Sequence, residues 1–317
     1  MTVSILAMTR HLPPRSGSPA TLRARLGRPS GALRLHVTGA PFSVLCQNLA
    51  LMVPPAPYLG TDRNGAIEAM IDHIRVTSPD VVGLCEVFAD DERMAIYRSL
   101  KPWYPHYRGG PDEGDLDSDG GLALLSKHPI LVSHAMIYTG AVGGDWFANK
   151  GVLHIRVQPD GSPTPYDVFF THTQDLTATA DAREALYGEL SQLADFVARW
   201  ADPDAPTLIL GDLNVPAGDE AAYRELQQRL RGTVDLWRVS GGEETEGRTF
   251  VANNNFYADP GDNPRLDQRL DYVLLGSGTR QVPILDQMRV LRIERDGRFI
   301  SDHFGLLARF SVEVEVE

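Results

Sequence analysis

Polar side chains that can bind a metal ion or move a proton follow several short apolar runs in this chain. They are Asn48, Glu86, His172, Asp212, Asn214, Asp271, Asp302 and His303. Carboxylate and amide oxygens are the ligands that Mg²⁺ prefers, and an imidazole titrates near neutral pH. Hydrolysis of a phosphate ester needs a base for water and positive charge for the transition state, and these residue types can supply both.

Taken singly, each of these residues has an ordinary explanation. Asn48 suits a strand-ending turn, Glu86 suits a solvent-facing ion pair with Arg93, and residues 301–303 suit an ordinary loop. The prediction of a catalytic cleft therefore depends on whether the strands and helices bring these residues together.

Short apolar runs predict the strands that would position these residues. The predicted strands are 42–48, 81–86, 121–126, 152–157, 167–171, 207–210, 270–275 and 304–312. Helices are predicted from two apolar faces with helical spacing, one of Ile67, Met70, Ile71 and Ile74, the other of Leu186, Leu190, Leu193, Val197 and Trp200. Three consecutive strands lack a long helix between them, so the expected class is α/β with mixed sheets. If the strands lie side by side, their polar ends converge on one cleft.

The polar residues fall into six short motifs in one order along residues 42 to 310. The motifs are Gln47-Asn48, Glu86, Thr171-His172, Gly211-Asp212-Leu213-Asn214, Leu270-Asp271-Tyr272 and Ser301-Asp302-His303. In this order they resemble the endonuclease/exonuclease/phosphatase superfamily, which includes pancreatic deoxyribonuclease, abasic-site endonucleases, inositol polyphosphate phosphatases and neutral sphingomyelinases. The resemblance implies a four-layer α/β sandwich, in which two mixed β-sheets pack face to face with helices on the outside.

The resemblance also implies roles for the residues in an Mg²⁺-dependent hydrolysis, with Mn²⁺ as a substitute. We expect His303 to be the general base and Asp271 to fix its tautomer. Asp212 and Asn214 are expected to orient the water and the phosphate, and His172 to contact the phosphate. The expected metal ligands, which also have the right chemistry for a hard cation, are Glu86, Asn48 and Asp302.

One further segment bears on the substrate. Residues 144–152 contain Asp145, Asn149 and Lys150 in an arrangement similar to the Asp-x-x-x-Asn-Lys-Gly segment of neutral sphingomyelinases. Lys150 can hold a phosphate as a point charge and Asn149 adds a hydrogen-bond donor, whereas the alternative is a glycine-terminated turn before a strand.

We therefore expect a phosphodiesterase that acts on a phospholipid head group, with peripheral membrane contact. A metal-dependent endonuclease or exonuclease acting on nucleic acid and an inositol-type phosphatase are the alternatives. A third alternative is a noncatalytic binding protein with the same fold.

Composition limits these classes. The 317 residues are 43% hydrophobic and 23% charged with a net charge of −12, which suits a substantial core and disfavours nonspecific nucleic-acid binding. Cys46 and Cys85, the two cysteines, are expected to be buried thiols. No apolar run approaches the roughly 20 residues that span a bilayer, and no secretion signal is recognisable. We expect a cytoplasmic or membrane-peripheral location and no obligate protein partner.

Residues 1–32 differ from the rest of the chain. No Asp or Glu precedes Asp62, whereas six arginines do, and the segment is rich in Pro and Gly. We predict a flexible N-terminal extension over 1–32 and a single catalytic domain over 33–317.

Overall fold

The computed structural model describes residues 35–38, 40–52, 62–111, 120–176, 180–251, 254–256, 267–276 and 281–316. The extension predicted for residues 1–32 lies outside these ranges. No helix among the described residues has the length and apolar character needed to cross a membrane.

The strands in chain order are β1 (Leu35–Thr38), β2 (Phe42–Leu51), β3 (Val81–Val87), β4 (His106–Gly110), β5 (Leu122–Ser126), β6 (Ile130–Ile137), β7 (Gly151–Val157), β8 (Tyr166–His172), β9 (Thr207–Asp212), β10 (Val234–Asp235), β11 (Asp271–Leu275), β12 (Gln281–Leu291), β13 (Glu294–Arg295), β14 (Arg298–Phe299) and β15 (Gly305–Val316). The α-helices are α1 (Arg63–Thr77), α2 (Asp90–Leu100), α3 (Ala182–Trp200), α4 (Glu220–Arg229) and α5 (Leu236–Val239), and a 3₁₀ helix spans Gly143–Phe147.

Two large sheets organise these strands, and both are mixed. The first has the order β1-β15-β2-β3-β5-β4, with β12 also paired to β15, and the second has the order β10-β11-β9-β8-β7-β6. Within them β2 runs parallel to β3 and β8 runs parallel to β9, whereas the other pairings are antiparallel. The predicted α/β class with mixed sheets is confirmed.

Alternating residues along the central strands point into different apolar layers, as the two-residue period of a strand requires. Val44 and Cys46 of β2 and Phe170 of β8 belong to a cluster between the two sheets. Leu45 packs instead with the apolar face of α1, and Phe169 packs with the apolar face of α3. The molecule is thus layered helix, sheet, sheet, helix, and the predicted four-layer sandwich is confirmed.

The sheets approach each other closely at Gly83 of β3. A Cβ atom at this position would lie 2.6 Å from Cδ2 of Phe170, so the Phe170 ring occupies the space that a side chain would take. Cys46 and Cys85 are buried near this layer as free thiols, as predicted. The spacing of the two sheets is therefore fixed by side-chain packing in the central layer.

Apolar spacing predicted α1 and α3 correctly. In α1 the side chains of Ile67, Met70 and Ile74 are buried, and the Asp62 carboxylate caps the first turn by accepting a hydrogen bond from Gly65 N at 2.9 Å. The predictions did not include α2, α4, or the strands β4, β6 and β12. The outer strand β6 is only partly buried along its length, so it lacks the apolar run on which strand prediction depends.

Candidate active site

The predicted site residues converge at one end of the two sheets. The parallel pairs β2–β3 and β8–β9 deliver their carboxyl ends, with Asn48, Glu86, His172 and Asp212, to the same end of the sandwich. Asp212 is the register partner of both His172 on β8 and Asp271 on β11. The short distances described below confirm that residues from both sheets meet here.

His303 and Asp271 form a buried pair. His303 Nδ1 lies 2.9 Å from Asp271 Oδ2, and His303 Nε2 lies 3.8 Å from Asp212 Oδ2. Burial by itself would lower the pKa of His303, but Asp271 and Asp212 more than offset it and raise the pKa well above its ordinary value. The imidazole is thus oriented by one carboxylate and turns its second nitrogen toward another.

Asp212 lies at the centre of the cluster. Its Oδ2 atom accepts a hydrogen bond from Asn48 Nδ2 at 3.1 Å and lies 3.7 Å from His172 Nε2. Its Oδ1 atom accepts from the backbone N–H of Asn214 at 3.0 Å. This carboxylate therefore contacts or faces groups from β2, β8 and the loop after β9, besides His303.

Glu86 ends the apolar part of β3 in an unusual backbone conformation. Its φ of 53° lies in the left-handed region, which residues other than glycine seldom adopt. Glu86 Oε1 accepts from Asn48 Nδ2 at 2.8 Å and lies 3.6 Å from His172 Nε2. Burial and the nearby Asp302 carboxylate raise the pKa of Glu86 to about 7, against the opposing effects of Lys150, Asn48 and His303. Negative charge is therefore concentrated at this point of the cleft.

Asn48 and Asp302 flank this cluster in different ways. Asn48 is fully buried, and its Oδ1 atom accepts from Ala50 N at 2.9 Å while its amide nitrogen links Glu86 to Asp212. Asp302 borders the cleft. The backbone carbonyl of Asp302 accepts from Asn254 Nδ2 at 3.0 Å, which anchors the loop that carries Asp302 and His303.

His172 is buried and lies among charged groups. Burial lowers the pKa of His172 well below its ordinary value, and the positive charges of Lys150 and His303 lower it further. The ring is therefore neutral at physiological pH. Asn214, whose φ of 49° is also left-handed, donates from Nδ2 to the carbonyl of Thr173 at 2.8 Å, beside His172 in the chain.

Lys150 reaches the cleft from the segment before β7. Its ammonium group is buried, pairs with Asp145 Oδ1 at 2.9 Å and donates to the carbonyl of Thr173 at 3.0 Å. Burial would lower the pKa of Lys150, but Asp145 and Glu86 more than offset this and raise it. Asn149 is not among the residues that border the cleft; its φ of 43° turns the backbone ahead of Gly151.

Three residues that were not predicted as site residues support the site through hydrogen bonds and an ion pair. They are Asp145, Gln174 and Thr249. Asp145 is the partner of Lys150, and Gln174 Nε2 donates to Asp145 Oδ2 at 2.7 Å. Thr249 Oγ1 accepts from the backbone N–H groups of Leu270 and Asp271 at 3.1 and 3.2 Å. The Asp-x-x-x-Asn-Lys-Gly spacing was a signal for Asp145, whereas nothing in the sequence connects Thr249 to a strand about twenty residues later.

The cluster opens into a cleft of about 670 Å³. The residues that line it include Glu86, His172, Asp212, Asn214, Asp302 and His303, and also Lys150, Arg183, Arg248, Phe250 and Arg269. Asn48 and Asp271 do not line the cleft, but they contact Glu86 and His303, which do. The cleft contains carboxylate oxygens from Glu86, Asp212 and Asp302. These oxygens suit a hard divalent cation, because the cation would offset their negative charge.

A family model for the endonuclease/exonuclease/phosphatase family matches residues 58–303, which is most of the chain. Among curated relatives, sphingomyelinase C of Listeria ivanovii is 29% identical over 181 residues, covering 52% of this chain and 53% of that protein. Human sphingomyelin phosphodiesterase 2 is 27% identical over 265 residues, covering 78% of this chain and 57% of that protein. The chain thus spans little more than half the length of these relatives.

The fold has close counterparts among solved structures. A beta toxin mutant from Staphylococcus aureus with bound magnesium ions superposes with a TM-score of 0.70 at 20% identity, covering 86% of this chain and 100% of the toxin chain. The family match runs through the motifs from Glu86 to His303. The chain belongs to the endonuclease/exonuclease/phosphatase family.

Proposed function

We propose that this protein is a Mg²⁺-dependent phosphodiesterase that cleaves the head group from a phosphocholine lipid such as sphingomyelin. The observation that carries the proposal is the ion pair of Lys150 with Asp145, which brings the sphingomyelinase-like segment to the same cleft as Glu86, Asp212 and His303. The similarity to sphingomyelinases from a bacterium and from human supports this choice of substrate.

The cation would be held by the oxygen-rich part of the cleft. Glu86 and Asp302 are the proposed carboxylate ligands, with Mn²⁺ as a substitute for Mg²⁺. For Asn48 to act as the proposed amide ligand its side chain would have to turn, because its nitrogen faces Glu86 and Asp212 and its oxygen accepts from Ala50 N. The bound magnesium of the related toxin supports a cation on this fold. When bound, the cation supplies positive charge that stabilises the phosphoryl transition state.

His303 is the proposed general base. Its Nδ1–H donates to Asp271, which turns Nε2 toward the cleft. A bound cation would offset part of the carboxylate charge that raises the pKa of His303, and the neutral ring could then accept a proton from water at Nε2. The 3.8 Å between Nε2 and Asp212 Oδ2 is too long for a direct hydrogen bond but suits a water that contacts both groups. Asp212 would hold this water in position while His303 takes its proton.

The phosphate would be held in the same cleft, next to these carboxylates. Lys150 offers a buried positive charge, and neutral His172 offers a hydrogen bond from Nε2, which faces Glu86 and Asp212. Asn214 lies beside them, with its side chain bonded to the Thr173 carbonyl. For Asn149 to act as the proposed donor to the substrate, its side chain would have to turn into the cleft, which it does not border. These groups would stabilise the charge that grows on the phosphoryl oxygens.

The charges of the cleft argue against a nucleic-acid substrate. Every arginine that borders the cleft in the described residues already has a carboxylate partner: Arg183 with Asp219 at 3.6 Å, Arg248 with Asp267 at 2.8 Å and Arg269 with Asp235 at 2.7 Å. Binding of a polynucleotide depends on cations that neutralise several successive phosphates. The described cleft suits a ligand with a single phosphate better.

A substrate panel tests the proposal. Purified protein with Mg²⁺ should release phosphocholine from sphingomyelin in mixed micelles, measured by mass spectrometry, and Glu86→Gln should not. Plasmid DNA, single-stranded RNA and inositol polyphosphates should be cleaved much more slowly. Faster cleavage of DNA or of an inositol phosphate would refute the lipid substrate, and absence of all hydrolysis with the metal bound would favour a noncatalytic binding protein.

A further inference from the structure

An exposed aromatic pair stands beside the cleft. Trp146 and Phe147 are 61% and 60% exposed, and their rings pack edge to face with centroids 4.7 Å apart. They belong to the segment 139–149, which we call the aromatic loop and which leads directly to Lys150. Two large apolar side chains that are exposed side by side form a contiguous apolar patch, a feature typical of contact surfaces.

The aromatic loop is anchored to the rest of the protein by hydrogen bonds to residues 174 and 175 and by the ion pair with Lys150. Its Asp145 carboxylate accepts from Gln174 Nε2 at 2.7 Å and from Asp175 N at 2.6 Å, besides pairing with Lys150. Val142 N donates to Gln174 Oε1 at 2.8 Å. These contacts hold Val142, just before the 3₁₀ helix, and Asp145 within it. The two aromatic rings that follow Asp145 are therefore exposed on a fixed backbone.

The outward face of the loop carries no charge. Asp145 is the one ionisable residue among positions 139–149, and its side chain points inward to Lys150. The chain as a whole has a net charge of −12. An uncharged aromatic surface on an acidic protein is matched to a zwitterionic lipid surface, whereas an anionic membrane or a polynucleotide would call for lysines or arginines here.

We infer that Trp146 and Phe147 form a lipid-docking surface that inserts into the interfacial region of zwitterionic phosphocholine membranes beside the catalytic cleft. This inference rests on the proposed function, which supplies the lipid substrate. Trp and Phe rings are suited to that region because they bury apolar area among the lipid head groups. Docking at this loop would bring a phosphocholine head group next to Lys150, the residue that ends the same segment.

The test compares a double variant, Trp146→Ala with Phe147→Ala, against a matched control, Trp103→Ala. Trp103 is also exposed, at 47%, but it packs under Arg75 near the end of α1, where β3 begins, away from Glu86 at the other end of β3. Binding to phosphatidylcholine vesicles in EDTA is measured by flotation. The double variant should bind at least about tenfold more weakly than wild type, since partial burial of the two rings together is worth about a decade in affinity. The control should bind like wild type.

A second measurement separates docking from catalysis. Turnover of a soluble chromogenic phosphodiester with Mg²⁺ should be unchanged in the double variant, whereas hydrolysis of vesicle-borne sphingomyelin should fall about tenfold, in line with the lost affinity. Vesicle binding that is equal in wild type and double variant would overturn the inference. So would a double variant that binds a single-stranded oligonucleotide more weakly than wild type does while its vesicle binding is unchanged. If vesicle binding falls but wild type hydrolyses no lipid, the docking surface stands and the proposed lipid substrate fails.

Discussion

His303 and Asp271 meet across 2.9 Å although one precedes β15 of the first sheet and the other begins β11 of the second. The pair therefore bridges the two halves of the sandwich. Because Asp271 can act on the reaction through the imidazole that it orients, the two residues should behave as one unit.

The first prediction concerns this unit. His303→Ala should lower kcat/KM by about 10²- to 10⁴-fold through loss of the general base. Asp271→Asn should be harmful in the wild type and nearly silent in the His303→Ala background, because the carboxylate then has no imidazole to orient. A double-mutant cycle on a soluble phosphodiester measures the coupling. Fully additive losses would mean that Asp271 has another role and that the base lies elsewhere.

Glu86→Gln should abolish most of the metal-dependent activity. The change removes ligand charge while nearly keeping side-chain volume, so turnover at limiting Mg²⁺ should fall by about two orders of magnitude. Without metal the variant should melt no lower than wild type, since burial and Asp302 disfavour the Glu86 charge. Glu184→Gln, an exposed carboxyl on α3, is the control. Wild-type turnover of Glu86→Gln at limiting Mg²⁺ would remove Glu86 from the ligand set.

Thr249 should matter through its hydroxyl oxygen. Thr249→Val keeps the shape but leaves the N–H groups of Leu270 and Asp271 without their acceptor in a buried site, which should cost about 1–3 kcal/mol of stability. It should also lower kcat by displacing Asp271. Thr249→Ser retains the oxygen and should restore most of both losses, as checked by chemical denaturation and kinetics. An equal defect in the valine and serine variants would point to packing of the methyl group instead.

The raised pKa of Glu189, which is not one of the proposed metal ligands, predicts that stability depends on pH. Burial raises its pKa to about 7, which the hydrogen bond from Gln174 N and the charge of Lys150 partly oppose and Asp145 reinforces. Because the folded state binds this proton more tightly than the unfolded state, the contribution of Glu189 to stability is complete below pH 4.5 and is lost as pH rises to about 7. Glu189→Gln should therefore gain up to about 3 kcal/mol over wild type at pH 8 and little at pH 4. Urea melts at both pH values measure this, and an equal difference at both would contradict it.

The domain boundary gives a further prediction. A shortened protein that begins at Leu33 keeps β1, which pairs with β15 from Leu35 to Thr38. It should fold and turn over a soluble substrate like the full chain, as expected if residues 1–32 add neither core nor catalytic groups. A large fall in melting temperature or in turnover would place part of the domain within those residues.

The sequence was sufficient for the elements with strong periodicity and for the polar ends of the central strands. Helix α1 and strands β2, β3, β8 and β9 carry long apolar patterns, because their side chains are buried on fixed faces. Strand β6 and helix α2 are only partly buried, so their patterns are weak and were not predicted.

Long-range hydrogen bonds explain what could not be predicted in the site. The contact of Thr249 with Asp271 and the contact of Gln174 with Asp145 join positions 22 and 29 residues apart. Such pairs depend on how loops fold over the sheets, which spacing along the chain does not encode. Asn149 differs for another reason, since its left-handed backbone lies next to the cleft but its side chain does not border it.

The close approach of Gly83 and Phe170 ties catalysis to the interior of the protein. His303, the proposed base, and Asp271 are attached to different sheets, so the thickness of the apolar layer between those sheets sets the distance across which they meet. Selection for turnover must therefore act on side-chain volumes in this layer as well as on the groups that touch substrate. Volume changes in this layer, far from the cleft, would then alter the geometry between His303 and Asp271 as well as the stability of the fold.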